Sequence, residues 1–133
     1  MSGERAVYLD SSAIVKLAVA EPESAALRRY LRRRRPLVSS ALARAEVTRA
    51  LLPLGDPAVR RGQEVLARLE LIRVSDRILA AAGSLLPSEL RTLDAIHLAT
   101  ARQLGGDLVR LIAYDERLRN AAAATGCAVA APS

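Results

Sequence analysis

The sequence predicts an α/β fold, specifically a three-layer sandwich in which helices flank a mainly parallel sheet of four to five strands. Two observations lead to this prediction. Short apolar runs of strand length alternate with longer stretches of helical periodicity. Each connection between successive strands is long enough for a helix, and parallel strands need helical crossovers. A chain of 133 residues suits one domain with its own core, so we predict a single domain over residues 1–133.

In the first half of the chain, the element ends are marked by serine caps, by acids and proline at helix starts, and by arginine, proline and glycine at helix ends. These signals predict, in order, strand Val7–Leu9, a helix capped by Ser11 or Ser12, a helix that opens at Glu21–Glu23 and ends near Arg32–Arg35, strand Leu37–Val38, a helix Ala41–Leu52 capped by Ser39 or Ser40, and a helix from Asp56 to about Leu69.

The second half repeats the alternation, with Pro87 as a helix breaker and Gly105 and Gly126 as helix ends. The predicted elements are strand Leu71–Val74, a helix capped by Asp76 that runs through Leu86, a helix from Thr92 to Leu104, strand Leu108–Tyr114, a helix Glu116–Ala124, and an edge strand at Cys127–Val129.

Composition restricts the function classes. Basic residues outnumber acidic ones by 20 to 14, a formal charge of +6, and Lys16 is the only lysine, so nearly all the positive charge is arginine, which suits phosphate recognition. A single cysteine, Cys127, excludes a disulfide framework and fits a reducing cytoplasm. Met1–Arg5 leaves no room for a signal peptide before Asp10, and the apolar tract Ala121–Ala131 is too short to span a membrane, so we expect a cytoplasmic protein without membrane contact.

Four carboxylates stand where an apolar run would otherwise continue. Asp10 and Asp115 each follow a predicted strand, Asp94 lies in the first turn of a helix, and Glu46 lies on the inward face of its helix. Ligand sites in parallel sheets form beyond the carboxyl ends of the strands, so these side chains can converge. Converging carboxylates repel one another unless a cation neutralises them. Hard divalent ions prefer oxygen ligands, which indicates Mg²⁺ or Mn²⁺ and the hydrolysis of a phosphodiester bond.

Each acid also has a simpler interpretation. Asp10 can be only a helix cap, Asp94 a favourable first-turn acid, and Asp115 a turn residue. Glu46 can pair with Arg49 on the helix surface, although its apolar neighbours disfavour a solvated pair. The only histidine, His97, lies three residues after Asp94, and we interpret it as a packed or hydrogen-bonded residue beside the site rather than a metal ligand.

The segments that carry these acids resemble the PIN-domain ribonucleases, and among them the VapC-type toxins of bacterial toxin-antitoxin pairs. The matching segments follow the family's order over nearly the whole chain and are Tyr8–Leu17, Glu46–Leu51, Leu93–Ala101 and Tyr114–Leu118. The resemblance implies that Asp10, Glu46, Asp94 and Asp115 form an acidic pocket that binds Mg²⁺ or Mn²⁺, with the Ser12 hydroxyl beside Asp10.

The resemblance also implies endonucleolytic cleavage of RNA by a metal-activated water, a homodimer, and a cognate antitoxin that covers the pocket. Glu116 is adjacent to Asp115 and can supply or share its role. Contacts to RNA are expected from the arginines nearest the acids, namely Arg49, Arg91 and Arg117. Because Phe and Trp are absent, recognition by backbone charge and RNA shape is favoured over base stacking.

Three other interpretations compete with this one. A non-catalytic module that binds RNA or an antitoxin would keep the fold without using the acids. A receiver-like domain also places acids at strand ends, but it needs a lysine near its last strand, and Lys16 is the only lysine here. A Ser-His-Asp hydrolase is disfavoured because no Gly-x-Ser-x-Gly motif occurs.

Overall fold

A five-stranded sheet forms the middle of the protein in the computed structural model, which describes residues 5–133. The strands are β1 (Ala6–Leu9), β2 (Leu37–Ser40), β3 (Glu70–Ile72), β4 (Leu108–Ile112) and β5 (Val129–Ala130). Their spatial order is β3-β2-β1-β4-β5, and each neighbouring pair is parallel. The predicted parallel sheet is thereby confirmed, with five strands. The part of the signal-peptide prediction that concerns residues 1–4 lies outside the described residues.

Helices cover both faces of this sheet. They are α1 (Ser11–Ala18), α2 (Ser24–Leu31), α3 (Ala43–Leu51), α4 (Asp56–Ala67), α5 (Asp76–Gly83), α6 (Thr92–Arg102) and α7 (Glu116–Ala124), with short 3₁₀ turns at Leu52–Leu54 and Gly105–Asp107. None of the helices within residues 5–133 has the length and apolar character needed to cross a membrane.

The alternation of side chains along β1 divides the core into two halves. Val7 and Leu9 pack with α1 to α4 on one face, whereas Ala6 and Tyr8 pack with α6 and α7 on the other. Leucine, valine, isoleucine and alanine fill both halves, as expected for a chain that lacks Phe and Trp. The structure is therefore the predicted three-layer sandwich.

Several predicted helix starts were wrong. Asp10, rather than Ser11 or Ser12, caps α1, because its carboxylate accepts a hydrogen bond from the Ala13 N–H. Ser75, rather than Asp76, caps α5 through the Ile78 N–H. The predicted caps Ser39 and Ser40 instead end β2, and α3 begins three residues later, at Ala43, without a side-chain cap. The buried Ser39 hydroxyl is satisfied by the Leu9 carbonyl, which keeps this segment in the sheet.

Predicted element ends also moved by a few residues. Helix α3 stops at Leu51 because Pro53 turns the next residues into 3₁₀ structure, and α5 stops at Gly83 instead of Leu86. The remaining shifts are of the size at which helix and strand ends fray: α2 starts at Ser24, α4 ends at Ala67, α6 ends at Arg102, β3 covers Glu70–Ile72, β4 ends at Ile112 and β5 covers Val129–Ala130.

Helices α3 and α4 approach closely at Gly62. A Cβ atom at this position would lie 2.5 Å from Leu51 Cδ1 and 3.2 Å from Val47 Cγ1. Glycine is the residue that allows this approach, since any side chain would overlap the buried face of α3. The contact holds α3, and therefore Glu46, against the rest of the domain.

Candidate active site

The sheet order places a crevice between β1 and β4. The chain runs outward from β1 to β2 and β3 and then returns to the other side of β1 as β4, so the direction of winding reverses between β1 and β4. Ligands of open parallel sheets bind at such a reversal, beyond the carboxyl ends of the strands. Asp10 follows β1, Asp115 follows β4 after two further residues, and the Asp10 N–H donates to the Ile112 carbonyl at 3.1 Å. Both acids therefore lie at this end of the sheet, as predicted.

Asp10 is held by one carboxylate oxygen. Its Oδ1 accepts hydrogen bonds from Ser12 Oγ at 2.7 Å and from the Ala13 N–H at 3.0 Å. The residue is only 5% exposed, and burial raises the pKa of its carboxyl above the ordinary value. The two hydrogen bonds oppose this rise in pKa, and the nearby charge of Asp94 adds to it. The Ser12 hydroxyl lies beside Asp10, as predicted. The second carboxylate oxygen of Asp10, Oδ2, takes no part in either bond.

Glu46, which lies on α3, is also held through one of its two carboxylate oxygens. Its Oε1 accepts from Ser11 Oγ at 2.6 Å and from His97 Nε2 at 2.6 Å, while neither bond uses Oε2. Burial alone would raise the pKa of Glu46, but the hydrogen bonds from His97 and Ser11 outweigh burial and lower it. The carboxylate therefore keeps its charge in a half-buried position. It forms this pair with His97 and no ion pair with Arg49, which is exposed.

The guanidinium group of Arg91 lies between Asp94 and Asp115 and pairs with both. Arg91 Nε lies 3.5 Å from Asp94 Oδ2, and Arg91 Nη2 lies 3.3 Å from Asp115 Oδ2. Burial raises the pKa of Asp94; Arg91 opposes that rise, and the charge of Asp115 adds to it. Asp115 Oδ1 caps α7 by accepting from the N–H groups of Arg117 and Leu118. The simpler interpretation of Asp115 from the sequence was a turn residue; in the structure it caps α7, and its second oxygen contacts Arg91.

Two side chains that the sequence reasoning did not assign to the site complete it. The Tyr8 hydroxyl lies 2.7 Å from His97 Nδ1, and Ser11 Oγ hydrogen-bonds to Glu46. The interpretation of His97 as a hydrogen-bonded residue is confirmed, and its partner is one of the four acids. Strand periodicity carried a signal for Tyr8, because a residue two positions before Asp10 projects from the same side of β1. No sequence signal separated Ser11 from Ser12.

The remaining predicted residues lie at the rim. Arg117 and Glu116 are exposed in the first turn of α7, and Arg117 also lines a cleft beside Pro87. Arg91, which is 69% exposed, is the only one of the three predicted RNA-binding arginines in residues 5–133 whose side chain contacts any of the four acids, namely Asp94 and Asp115. Glu116 makes no side-chain contact with the other acids within the described part of the chain, so Asp115 is the better placed of the two.

The donor set suits a hard divalent cation, although it is not already arranged as a ligand sphere. Within residues 5–133, no group of three or more His, Cys, Asp or Glu side chains lies close enough to hold a metal ion. The chemistry nevertheless fits, because all four acids offer oxygen and a guanidinium already lies between two of them. Asp10 Oδ2 and Glu46 Oε2 are the oxygens left available by the bonds described above. Movement of the exposed Arg91 side chain would release the other two acids.

Comparison with known proteins gives the family. Residues 7–124 match the family model of the PIN domain. The chain is 68% identical over 128 residues to ribonuclease VapC46 of Mycobacterium tuberculosis strain H37Rv, an alignment that covers 96% of this chain and 98% of the relative. It is 44% identical over 133 residues to ribonuclease VapC35 from the same strain, covering 95% of this chain and 96% of the relative.

Solved structures agree on the fold. The crystal structure of M. tuberculosis VapC20, described as a toxin that cleaves the sarcin-ricin loop, matches with a TM-score of 0.76 at 18% identity, covering 95% of this chain and 99% of that one. FitAB bound to a DNA fragment matches with a TM-score of 0.71 at 18% identity, covering 95% and 94%. Identity this low supports the architecture alone, whereas the sequence relatives cover nearly the full length at much higher identity. The chain therefore belongs to the PIN-domain family and, within it, to the VapC group.

Proposed function

We propose that this protein is the toxin of a type II toxin-antitoxin system, an endoribonuclease that hydrolyses RNA phosphodiester bonds with a water activated by Mg²⁺ or Mn²⁺. The observation that carries the proposal is that Asp10, Glu46, Asp94 and Asp115 all lie toward the carboxyl end of the sheet, each held by defined contacts. PIN-domain VapC proteins are RNA-cleaving hydrolases that generally depend on a divalent metal. The specific metal, the four residue roles and the toxin activity are our assignments for this chain.

The four acids would have different roles in the pocket. When bound, a divalent ion supplies activated water and stabilises charge on the scissile phosphate. Asp10 Oδ2 and Glu46 Oε2 are the oxygens oriented to hold it, because hydrogen bonds occupy Oδ1 and Oε1. Burial raises the pKa of Asp94, and Arg91 opposes that rise, so this acid lies beside a guanidinium that a bound cation would replace. The Ser12 hydroxyl keeps Asp10 in its rotamer.

The arginines at the rim would contact the RNA backbone. Arg91, Arg49 and Arg117 are exposed and near the acids in sequence, so they can meet phosphates on either side of the cleaved bond. Arg91 would exchange its present contacts with Asp94 and Asp115 for a phosphate when the acids bind a metal. Its guanidinium suits bidentate phosphate contact.

Two protein partners are proposed. A cleft near the amino ends of β2 and β3 has an apolar floor that includes Leu31 and Val65 and a rim of four arginines, Arg28, Arg32, Arg35 and Arg68. This charge fits an acidic, amphipathic segment of a cognate antitoxin, which would continue to the pocket and cover it. A homodimer is supported by three large leucines exposed on α5, α6 and their connection, Leu79, Leu86 and Leu93. The cytoplasm is the proposed location, in agreement with the single free Cys127.

One observation favours a second candidate function. Because Arg91 already neutralises Asp94 and Asp115, the same geometry could serve a non-catalytic module that binds RNA or an antitoxin without a metal. Such a module would retain its fold and RNA affinity in the presence of a chelator.

Incubation of the partner-free protein with a cellular RNA pool tests the two candidates. The reaction contains Mg²⁺ or Mn²⁺ and is compared with Asp94→Asn and with a chelator. We expect discrete cleavage products that disappear in both controls, with a loss of at least about 100-fold for Asp94→Asn, since the amide keeps the size of the side chain and removes its charge. The Asp107→Asn variant, with its exposed acid at the amino end of β4, is the matched control and should cleave normally.

Cleavage by Asp94→Asn at the parent rate would refute the assigned site. RNA binding without cleavage by folded protein that binds Mn²⁺ would support the non-catalytic module. An RNA that contains the sarcin-ricin loop is one useful defined substrate, because VapC20 is described as cleaving it.

A further inference from the structure

A buried chain of hydrogen bonds connects the core to the candidate site. The Tyr8 hydroxyl lies 2.7 Å from His97 Nδ1, and His97 Nε2 lies 2.6 Å from Glu46 Oε1. Tyr8 is fully buried and His97 is 2% exposed, and their rings meet edge to face with centroids 5.8 Å apart. Tyr8, His97 and Glu46 lie on β1, α6 and α3, so these hydrogen bonds connect three separate elements.

The chemistry of the two ends determines which ring nitrogen carries the proton. A carboxylate oxygen only accepts, so His97 Nε2 must donate to Glu46. In the neutral ring, a proton on Nε2 leaves Nδ1 bare, and this nitrogen then accepts from the Tyr8 hydroxyl. A phenol hydroxyl can donate, and the Tyr8 hydroxyl lies at hydrogen-bond distance from this nitrogen.

Two other hydroxyl groups lie near the Tyr8 hydroxyl. Ser39 and Thr100 lie beside it. The Ser39 hydroxyl donates to the Leu9 carbonyl at 2.6 Å, and the Thr100 hydroxyl donates to the Ile96 carbonyl at 2.6 Å. Within residues 5–133, the Tyr8 hydroxyl has hydrogen-bond geometry with His97 Nδ1 alone, so the ring is held from its buried side.

At the other end of this row of hydrogen bonds, two donors orient the carboxylate of Glu46. His97 Nε2 and Ser11 Oγ both bond to Oε1, from α6 and α1 respectively. Two donors from different helices on one oxygen restrict rotation of the carboxylate. Neither donor contacts Oε2, so the two bonds leave this oxygen available to another partner.

We propose that His97 is a positioning residue whose tautomer, held by its bonds to Glu46 and Tyr8, orients Glu46 so that Oε2 faces the substrate and metal pocket. The inference rests on the proposed function, because it assigns a use to Glu46 in that pocket. His97 acts here through Glu46 and contacts neither the RNA nor a metal.

Nuclear magnetic resonance tests the tautomer directly. His97 is the only histidine in the chain, so long-range ¹H–¹⁵N correlations of tag-free protein report one imidazole without assignment. We expect a protonated Nε2 and an unprotonated Nδ1 in the parent. In Tyr8→Phe the ring loses its partner at Nδ1 and keeps Glu46 and Ser11 at Nε2, so we expect a changed Nδ1 resonance. A parent spectrum with the proton on Nδ1, or with equal amounts of both tautomers, would overturn the proposal.

Two substitutions of His97 separate positioning from packing. Gln can place an amide N–H near the position of Nε2, whereas the shorter Asn can keep a polar group only near Nδ1. We expect His97→Asn to weaken Mn²⁺ binding, measured by calorimetry with the metal alone, by about 10–100-fold, as is typical for groups that orient a ligand. His97→Gln should recover most of the affinity. Leu98→Val, on the same helix and fully buried, should lower the melting temperature and leave Mn²⁺ affinity unchanged.

A double-mutant cycle with Glu46→Gln distinguishes the two proposals. If His97 acts through Glu46, His97→Asn causes no further loss of Mn²⁺ affinity in the Glu46→Gln background. A loss of the same size in both backgrounds, or an equal loss for Asn and Gln, would overturn the positioning role. If Glu46→Gln itself binds Mn²⁺ and cleaves RNA like the parent, it is the proposed function of the site that fails. Loss in Glu46→Gln with no effect in either His97 variant refutes the positioning role alone.

Discussion

Replacement of Asp10 by Asn tests the shared metal site in a stability measurement that does not require the RNA substrate. Asn keeps an Oδ1 that accepts from Ser12 and from the Ala13 N–H, so the cap of α1 survives. The substitution removes a charge that is 5% exposed and close to Asp94. We therefore expect the metal-free variant to be at least as stable as the parent at neutral pH.

The effect of Mn²⁺ can be worked out from mass action. A ligand at 100 times its Kd stabilises the folded state by about 2.7 kcal/mol. An unfolding entropy of about 2.1 cal/mol/K per residue over 133 residues converts this into a rise in melting temperature of about 10 °C. If Asp10→Asn weakens binding about 100-fold, the same Mn²⁺ concentration equals its Kd and the rise shrinks to about 1–2 °C.

Thermal unfolding with and without Mn²⁺, followed by circular dichroism, provides the comparison. Asp107→Asn again serves as the control, because it also removes one negative charge but lies at the amino end of β4. It should show the full shift of the parent. An equal Mn²⁺ shift in Asp10→Asn and the parent would refute the argument that Asp10 contributes to a metal site.

Two further predictions concern packing and pH. Gly62→Ala should lower the free energy of unfolding by about 1–3 kcal/mol in a denaturant titration, because its Cβ would overlap Leu51 and crowd Val47; an unchanged midpoint would show that α3 and α4 can separate without cost. Asp10 and Asp94 have raised pKa values in the folded protein, so their ionisation weakens the metal-free fold as pH rises above the ordinary carboxyl pKa of 3.8. Relative to Asp10→Asn, the parent should lose stability between about pH 4 and its raised pKa; a pH-independent difference between the two would contradict the assigned cause.

The positions of the acids were predictable because each depends on a local pattern. A carboxylate directly after a buried strand lies at the carboxyl end of the sheet, which located Asp10 and Asp115. Helical periodicity predicted that Glu46 lies on the inward face of its helix. The position of Asp94 in a first helical turn followed from the predicted start of α6. The same patterns predicted a parallel sheet between two helical layers.

The hydrogen-bond partners of the acids were not predictable in the same way. Tyr8 and His97 are 89 residues apart in sequence, and His97 and Glu46 are 51 apart, so no local period relates them. Arg91 was identified as a neighbour of the site, but its bridge between Asp94 and Asp115 depends on how the start of α6 approaches the start of α7. The caps of α1 and α5 were misassigned because Asp10, Ser11 and Ser12, or Ser75 and Asp76, offer equivalent capping groups to a one-dimensional pattern.

The amino-acid order alone determined the elements, the faces they bury and the end of the sheet at which the acids collect, since strand and helix periods act within a few residues. Only the tertiary structure decided the strand order β3-β2-β1-β4-β5, and with it the crevice between β1 and β4. It also decided which oxygen of each acid is bound and which remains available, because that depends on donors brought from distant helices. Burial of the Tyr8–His97 pair then makes those contacts costly to break, since a buried polar group without a partner loses its hydration.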